Sequence, residues 1–150
     1  MPSSKFEWMS RVKAVEREHK ATRLATERLL TIASQDPTAL SRDIRFRDLQ
    51  EAANQLEGTY IIRLFAEFET CLRSAFFAMR NRRAPSRTRD LLDSVGARRT
   101  IPHDQINAAH AVREYRNRLV HERDDEVAAI PIDAARSHLC YYLNFLPPQW

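Results

Sequence analysis

One apolar arc constrains this chain more than any other feature. Leu49, Ala53, Leu56, Tyr60, Leu64, Phe68, Cys71, Ala75 and Met79 recur at steps of three and four residues, the period of an α-helix. From Tyr60 onward Ile61, Phe65, Leu72 and Phe76 widen the arc past a third of the circumference. A helical face that wide must pack on several neighbours at once. The stretch from Phe46 to about Arg82 is therefore expected to be the central helix of a bundle. Gly58 interrupts it, at a cost of about 1 kcal/mol relative to alanine, and should mark a kink or the close approach of a neighbour.

The rest of the chain supplies helices to surround this one. Gly58 and Gly96 are the only glycines, no Asn-Gly or Asp-Gly pair is present, and strong helix formers dominate. Ser4 and Glu7 have the spacing of a capping box, opening a helix that should run to about Ser34, before the Asp36-Pro37 breaker. Its middle, Arg17 to Lys20, reads as partly exposed, with His19 an exposed helical residue. Residues 36–46 read as a connection with one short turn. Ala84-Pro85-Ser86 ends the central helix, and a short helix follows from Arg87 to Ala97 with Leu91, Leu92 and Val95 inward. Thr100-Ile101-Pro102 opens the next helix, with Pro102 and Asp104 in its first turn, ending about Arg123. Asp124-Asp125-Glu126 reads as an acidic connection. Pro131 starts the last helix, carrying Ile132, Ala135, Leu139, Tyr142, Leu143 and Leu146, and Pro147-Pro148 terminates it. The expectation is a single all-α domain over residues 1–150, a four- to five-helix up-and-down-type bundle.

Cys71 and Cys140 lie inside apolar helical patterns with no C-x-x-C spacing, so they read as buried reduced thiols in a cytoplasmic protein. No apolar run approaches the ~20 residues of a membrane span. The net charge is +4, and arginine is concentrated between Arg80 and Arg99 against only Asp90 and Asp93. Guanidinium forks suit phosphate oxygens, which makes Arg82, Arg83 and Arg87 candidates for binding RNA. A solvated arginine-rich loop would have the same composition.

The helix after Pro102 carries the chemistry. At about 100° per residue, Ala108, Val112, Tyr115 and Leu119 form an apolar stripe, while His110, Glu114, Asn117 and His121 line the opposite side. Arg113, Arg116 and Arg118 flank that second seam. Imidazole titrates near neutrality, so the seam is where acid–base chemistry is available. Glu67 and Glu69 sit at the edges of the central arc. They can pair with Arg63 or Arg73, or one of them can face the imidazole seam. Phosphate-binding glycine loops and G-x-S-x-G elbows are absent. The one His-x-x-x-Glu pair, His110 and Glu114, has no closely spaced second histidine, so neither a metal nor another cofactor is expected.

The segment Arg116-Asn117-Arg118-Leu119-Val120-His121 resembles the R-N-x-x-x-H signature of the HEPN superfamily. These are small α-helical proteins, many of them metal-independent ribonucleases of toxin–antitoxin and phage-defence systems. The stretch from Leu56 to Phe77, with Tyr60, Phe65, Phe68 and Glu69, is similar to the family's central helix. Strictly only three motif residues match, in a context running from Leu49 to Leu146. The resemblance implies that Arg116, Asn117 and His121 form the site, that two motif helices face each other in a symmetric homodimer, and that a partner such as an antitoxin restrains the activity.

Such a site makes chemical sense. Metal-free RNA cleavage needs a base for the 2′-hydroxyl proton, an acid for the leaving 5′-oxygen, and cations around the phosphate. One chain supplies one motif histidine, and a two-fold axis supplies the second. His121 is then base or acid, Arg116 steadies the phosphorane charge and Asn117 orients the phosphate. Asn117 and His121 share a helix face, whereas Arg116 points about 100° away and must curl toward them or act across the dimer. His110, Glu114 and Glu69 are candidates for supporting the site, and Arg113 and Arg118 for contacting RNA. The alternative is a non-catalytic HEPN-like module that binds RNA, a nucleotide or a protein partner.

Overall fold

A computed structural model describes residues 1–121 and 126–150. The described residues form five α-helices and no strand: α1 (Lys5–Gln35), α2 (Phe46–Arg80), α3 (Thr88–Arg98), α4 (His103–His121) and α5 (Ile132–Leu143), with a short 3-10 turn at Pro37–Ala39. The all-α bundle expected from the sequence is what forms. The expected end of α4 at Arg123 and the acidic Asp124-Asp125 pair lie outside the described residues. No described helix is long and apolar enough to cross a membrane.

Helix α2 packs on all four other helices, as its wide arc requires. Ile61, Leu64, Phe65, Phe68, Cys71, Leu72, Ala75 and Phe76 are buried along it, each large one contributing about 1.5–3 kcal/mol of apolar burial. Phe68 meets Tyr142 of α5 edge-on, with ring centres 5.5 Å apart. The buried Tyr142 hydroxyl donates to the Leu92 carbonyl at 2.6 Å, tying α5 to α3. Burial, reinforced by the charge of Asp93, raises its pKa well above the ordinary phenol range.

Helix ends follow local chemistry. Ser4 accepts from the Glu7 amide while Glu7 returns to the Ser4 amide, completing the expected capping box. α2 stops at Asn81, which adopts the left-handed conformation with φ 49°. The helix therefore ends before Ala84-Pro85-Ser86, through a residue whose short amide side chain tolerates that region. α3 closes differently. The Ile101 amide donates to the Gly96 carbonyl and the Thr100 amide to the Ala97 carbonyl, a Schellman arrangement with Thr100 at φ 52° in the position that usually holds glycine. α4 then begins at His103, with the Pro102 carbonyl accepting from Gln105 and Ile106; Pro102 precedes the helix and does not occupy its first turn.

The middle of α1 is more buried than its polar sequence suggests. His19 is not exposed but 3% accessible, and Glu16 is also buried. The polar middle of α1 is an internal seam: Glu16 accepts from Arg136 of α5 at 2.7 Å and pairs with Lys20 at 3.0 Å, and the His19 ring tilts against Tyr60. Leu24, Leu29 and Ile32, by contrast, remain largely exposed. The apolar pattern of α1 continues past the point where the bundle has side chains to cover it.

Candidate functional site

α4 is placed by two close approaches. Its last turns lie on α2, where a Cβ at Gly58 would stand 3.2 Å from Leu119, so Gly58 marks a close approach. At its other end a Cβ on Gly96 of α3 would stand 2.6 Å from Ile106. The side chains buried along α4 are Ala109 and Val112. Ala108, Tyr115 and Leu119 are only half-buried, so the helix is rotated slightly from the expected stripe.

That rotation turns Arg116 toward α2. Its guanidinium lies over the Phe65 ring, 5.8 Å from the centroid, and its Nε is buried without a hydrogen-bond partner. The side chain then curls back along α4, and Nη1 donates to Oδ1 of Asn117 at 3.0 Å. Among the described residues no carboxylate stands within ion-pair distance of Arg116. His121 is the final residue of α4 and is exposed. It lies one turn beyond Asn117 on the same face, the spacing at which helical side chains are neighbours.

The other half of the seam is committed to structure. His110 sits between Asp93 of α3 and Arg113: Nε2 is 2.7 Å from the Asp93 Oδ1, and the Arg113 Nε donates to Nδ1 at 3.3 Å. Arginine only donates, so Nδ1 must be the acceptor and Nε2 carries the proton toward Asp93. Both ring nitrogens are thereby occupied, and His110 ties α3 to α4. Glu114 is exposed and accepts from Arg113 at 3.3 Å. Neither His110 nor Glu114 bonds to His121.

Glu69 belongs elsewhere. It accepts from Arg73 at 2.7 Å and from the Thr88 hydroxyl at 2.8 Å, so it fastens the start of α3 to α2 and does not face the imidazole seam. Arg118 donates to the Val127 carbonyl, holding the chain beyond α4. Arg82 lies over Phe76, Arg83 is exposed, and Arg87 precedes α3. α2 ends about 22 Å along its axis from Phe65, at 1.5 Å per residue. The arginine-rich loop and the Arg116 site are therefore not brought together within one chain.

Compared with family models, curated proteins and solved structures, the chain finds no match in any of the three.

The remaining candidates for chemistry are quickly placed. Cys71 and Cys140 are both buried and unpaired. Burial raises both thiol pKa values, which keeps them protonated and poor nucleophiles. Among the described residues, no three His, Cys, Asp or Glu side chains converge at metal-binding spacing. What the sequence did not single out is a groove of about 730 Å³ between α3 and α4, whose walls include Arg89, Asp93, His103, Asn107, His110 and Arg113. Arg89 and Asp93 are one turn apart on α3, but nothing in the sequence pairs Asp93 with a histidine seventeen positions later.

Proposed function

We propose that this protein is a metal-independent endoribonuclease of HEPN type, with a composite active site at a homodimer interface, acting as a toxin or phage-defence effector. The observation that carries this reading is the state of Arg116. It is a cation held over an aromatic ring, without a described carboxylate partner, and tied to Asn117, which lies one helical turn before an exposed imidazole. An arginine arranged in this way offers its remaining N–H groups to an oxyanion, and phosphate is the oxyanion that its fork fits best.

In the reaction, one His121 takes the proton from a ribose 2′-hydroxyl. The 2′-oxygen attacks the adjacent phosphorus, and the bond from phosphorus to the 5′-oxygen breaks. The His121 of a second copy protonates that leaving oxygen. The products are a 2′,3′-cyclic phosphate and a 5′-hydroxyl, so protons and charge balance without a co-reactant. Arg116 stabilises the extra negative charge on the pentavalent phosphorus. Asn117 holds Arg116 through its Oδ1 and has its amide N–H₂ free to orient a phosphate oxygen.

The test is incubation of the purified protein with single-stranded RNA in EDTA, beside His121→Ala and Arg116→Ala variants. Cleavage by the wild type that is lost in both variants is the expected result, with a native mass of about two chains. No cleavage, equal cleavage by all three, or a strict monomer at micromolar concentration overturns the reading. A folded protein that binds RNA without cutting it is the outcome that belongs to the non-catalytic module. Expression in bacteria should slow growth, and both variants should relieve it.

A further inference from the structure

We infer that the groove between α3 and α4 is a nucleotide subsite, holding a ribonucleotide of the substrate strand next to the phosphate at Arg116. The inference rests on the ribonuclease reading for its choice of strand, but on separate residues for its chemistry.

The groove, at about 730 Å³, is within the range of pockets that enclose small ligands. Its floor includes Gly96, Ala97, Ile101 and Ile106, an apolar surface suited to the face of a base. Gly96 belongs there for a steric reason, since any side chain would collide with Ile106. Two cations edge the floor. Arg89 has no ion-pair partner among the described residues. Arg113 has a side chain only 16% exposed, fixed by the His110 Nδ1 and Glu114. A partly buried, pre-oriented guanidinium loses little freedom on meeting a phosphate. Asn107 offers a carboxamide with donors and an acceptor, and the half-exposed Asp93 offers the acceptor left over from His110. Together these are a flat apolar seat, polar groups for a base edge, and cations for a phosphate.

Position assigns the ligand to the strand. His103, Asn107, His110, Glu114, Asn117 and His121 follow one face of α4 at steps of three and four residues. The groove occupies the first part of that face and the proposed catalytic residues the last. His110 and Asn117 are separated by about 10 Å along the axis, so a strand leaving the scissile phosphate along α4 enters the groove within a few nucleotides.

The test is equilibrium binding of a single-stranded 2′-fluoro RNA oligonucleotide, which has no 2′-hydroxyl and is not cleaved, to the full chain over a series of salt concentrations. Arg89→Ala should weaken binding about fivefold or more and reduce the slope of log K against log salt by about 0.7, the loss of one phosphate contact. Ala97→Trp, which fills the groove from an exposed position, should weaken binding about tenfold with the slope unchanged. Arg28→Ala, exposed on α1, should bind as the wild type does. Affinity within twofold of wild type in both folded groove variants overturns the subsite. A nucleoside monophosphate that displaces the oligonucleotide at equal concentration overturns its assignment to the strand. The two readings fail separately. Loss of binding in the groove variants of a protein that never cuts RNA removes the nuclease and keeps the groove. Cleavage and binding untouched in those variants remove the groove and keep the nuclease.

Discussion

Arg116 and Asn117 are adjacent on α4 and project about 100° apart, yet their side chains meet at 3.0 Å. The hydrogen bond turns a guanidinium that would otherwise sit wholly against Phe65 back toward the face carrying His121. Asn117 thereby sets the direction in which the Arg116 charge is offered.

This geometry makes Asn117→Asp an informative change. It has nearly the same shape but puts a carboxylate against Arg116, pairing the charge proposed for the phosphate. RNA cleavage should fall at least tenfold, because an acceptor-only anion replaces the amide donor and neutralises the cation. Thermal stability should be unchanged or higher, since the new ion pair is partly buried. Wild-type cleavage rates in a folded Asn117→Asp protein would remove Asn117 and Arg116 from the site.

Thr100 carries a strain that a single change should relieve. A β-branched residue at φ 52° pays roughly 1–2 kcal/mol that glycine does not. Thr100→Gly keeps the Schellman hydrogen bonds to Gly96 and Ala97 and should raise stability by about 1 kcal/mol, read as a higher denaturant midpoint with an unchanged slope. A lower midpoint would show that the threonine side chain contributes more than its backbone costs.

The two glycines should respond to alanine with opposite signs. At Gly58 the new methyl comes within 3.2 Å of the tip of Leu119, a half-buried side chain that can rotate away. The helix-propensity gain of up to about 1 kcal/mol should then prevail. At Gly96 the methyl comes within 2.6 Å of the Ile106 Cδ1 and 3.1 Å of its Cγ1. The glycine itself is buried, so Gly96→Ala should destabilise by about 1–3 kcal/mol. Comparison of the two melting temperatures with wild type decides both.

Glu16 should give the fold part of its acid sensitivity. Burial pushes its carboxyl pKa up, but hydrogen bonds from Arg136 and Lys20, with their charges, outweigh burial and hold it below the unfolded value of 4.5. A depressed folded pKa contributes stability that is present above pH 4.5 and lost as pH falls through the folded value. Glu16→Gln should therefore be about 1–2 kcal/mol less stable than wild type at pH 7, and the difference should shrink below pH 4.5. Urea titrations at pH 7, 5, 4 and 3 measure it, and a difference that stays constant throughout would show that the ion pair contributes nothing.

How far the sequence could be read differs by element. The Leu49 to Met79 spacing suffices to make α2 central, because an apolar arc of that width has no other low-energy placement. The Ser4 and Glu7 cap is equally legible, since both partners lie within one turn. α1 shows the limit of such patterns. Its periodicity cannot say which polar residues have partners on another helix, so His19 reads as exposed, whereas the fold tilts its ring against Tyr60 of α2. The same limit applied to the site. Periodicity put His110 and His121 on one seam, but Asp93 and Arg113 occupy both nitrogens of the first and leave the second to solvent.

The sequence by itself determined the helices, their order, the central role of α2 and the spacing of Arg116, Asn117 and His121, because these depend on interactions within a few residues along the chain. Only the tertiary structure decided that Arg116 lies over Phe65, that Glu69 holds α3, and that α3 and α4 enclose a groove. Each of these depends on side chains far apart in sequence, and their meeting is set by how the helices rotate to bury Ala109, Val112 and the arc of α2.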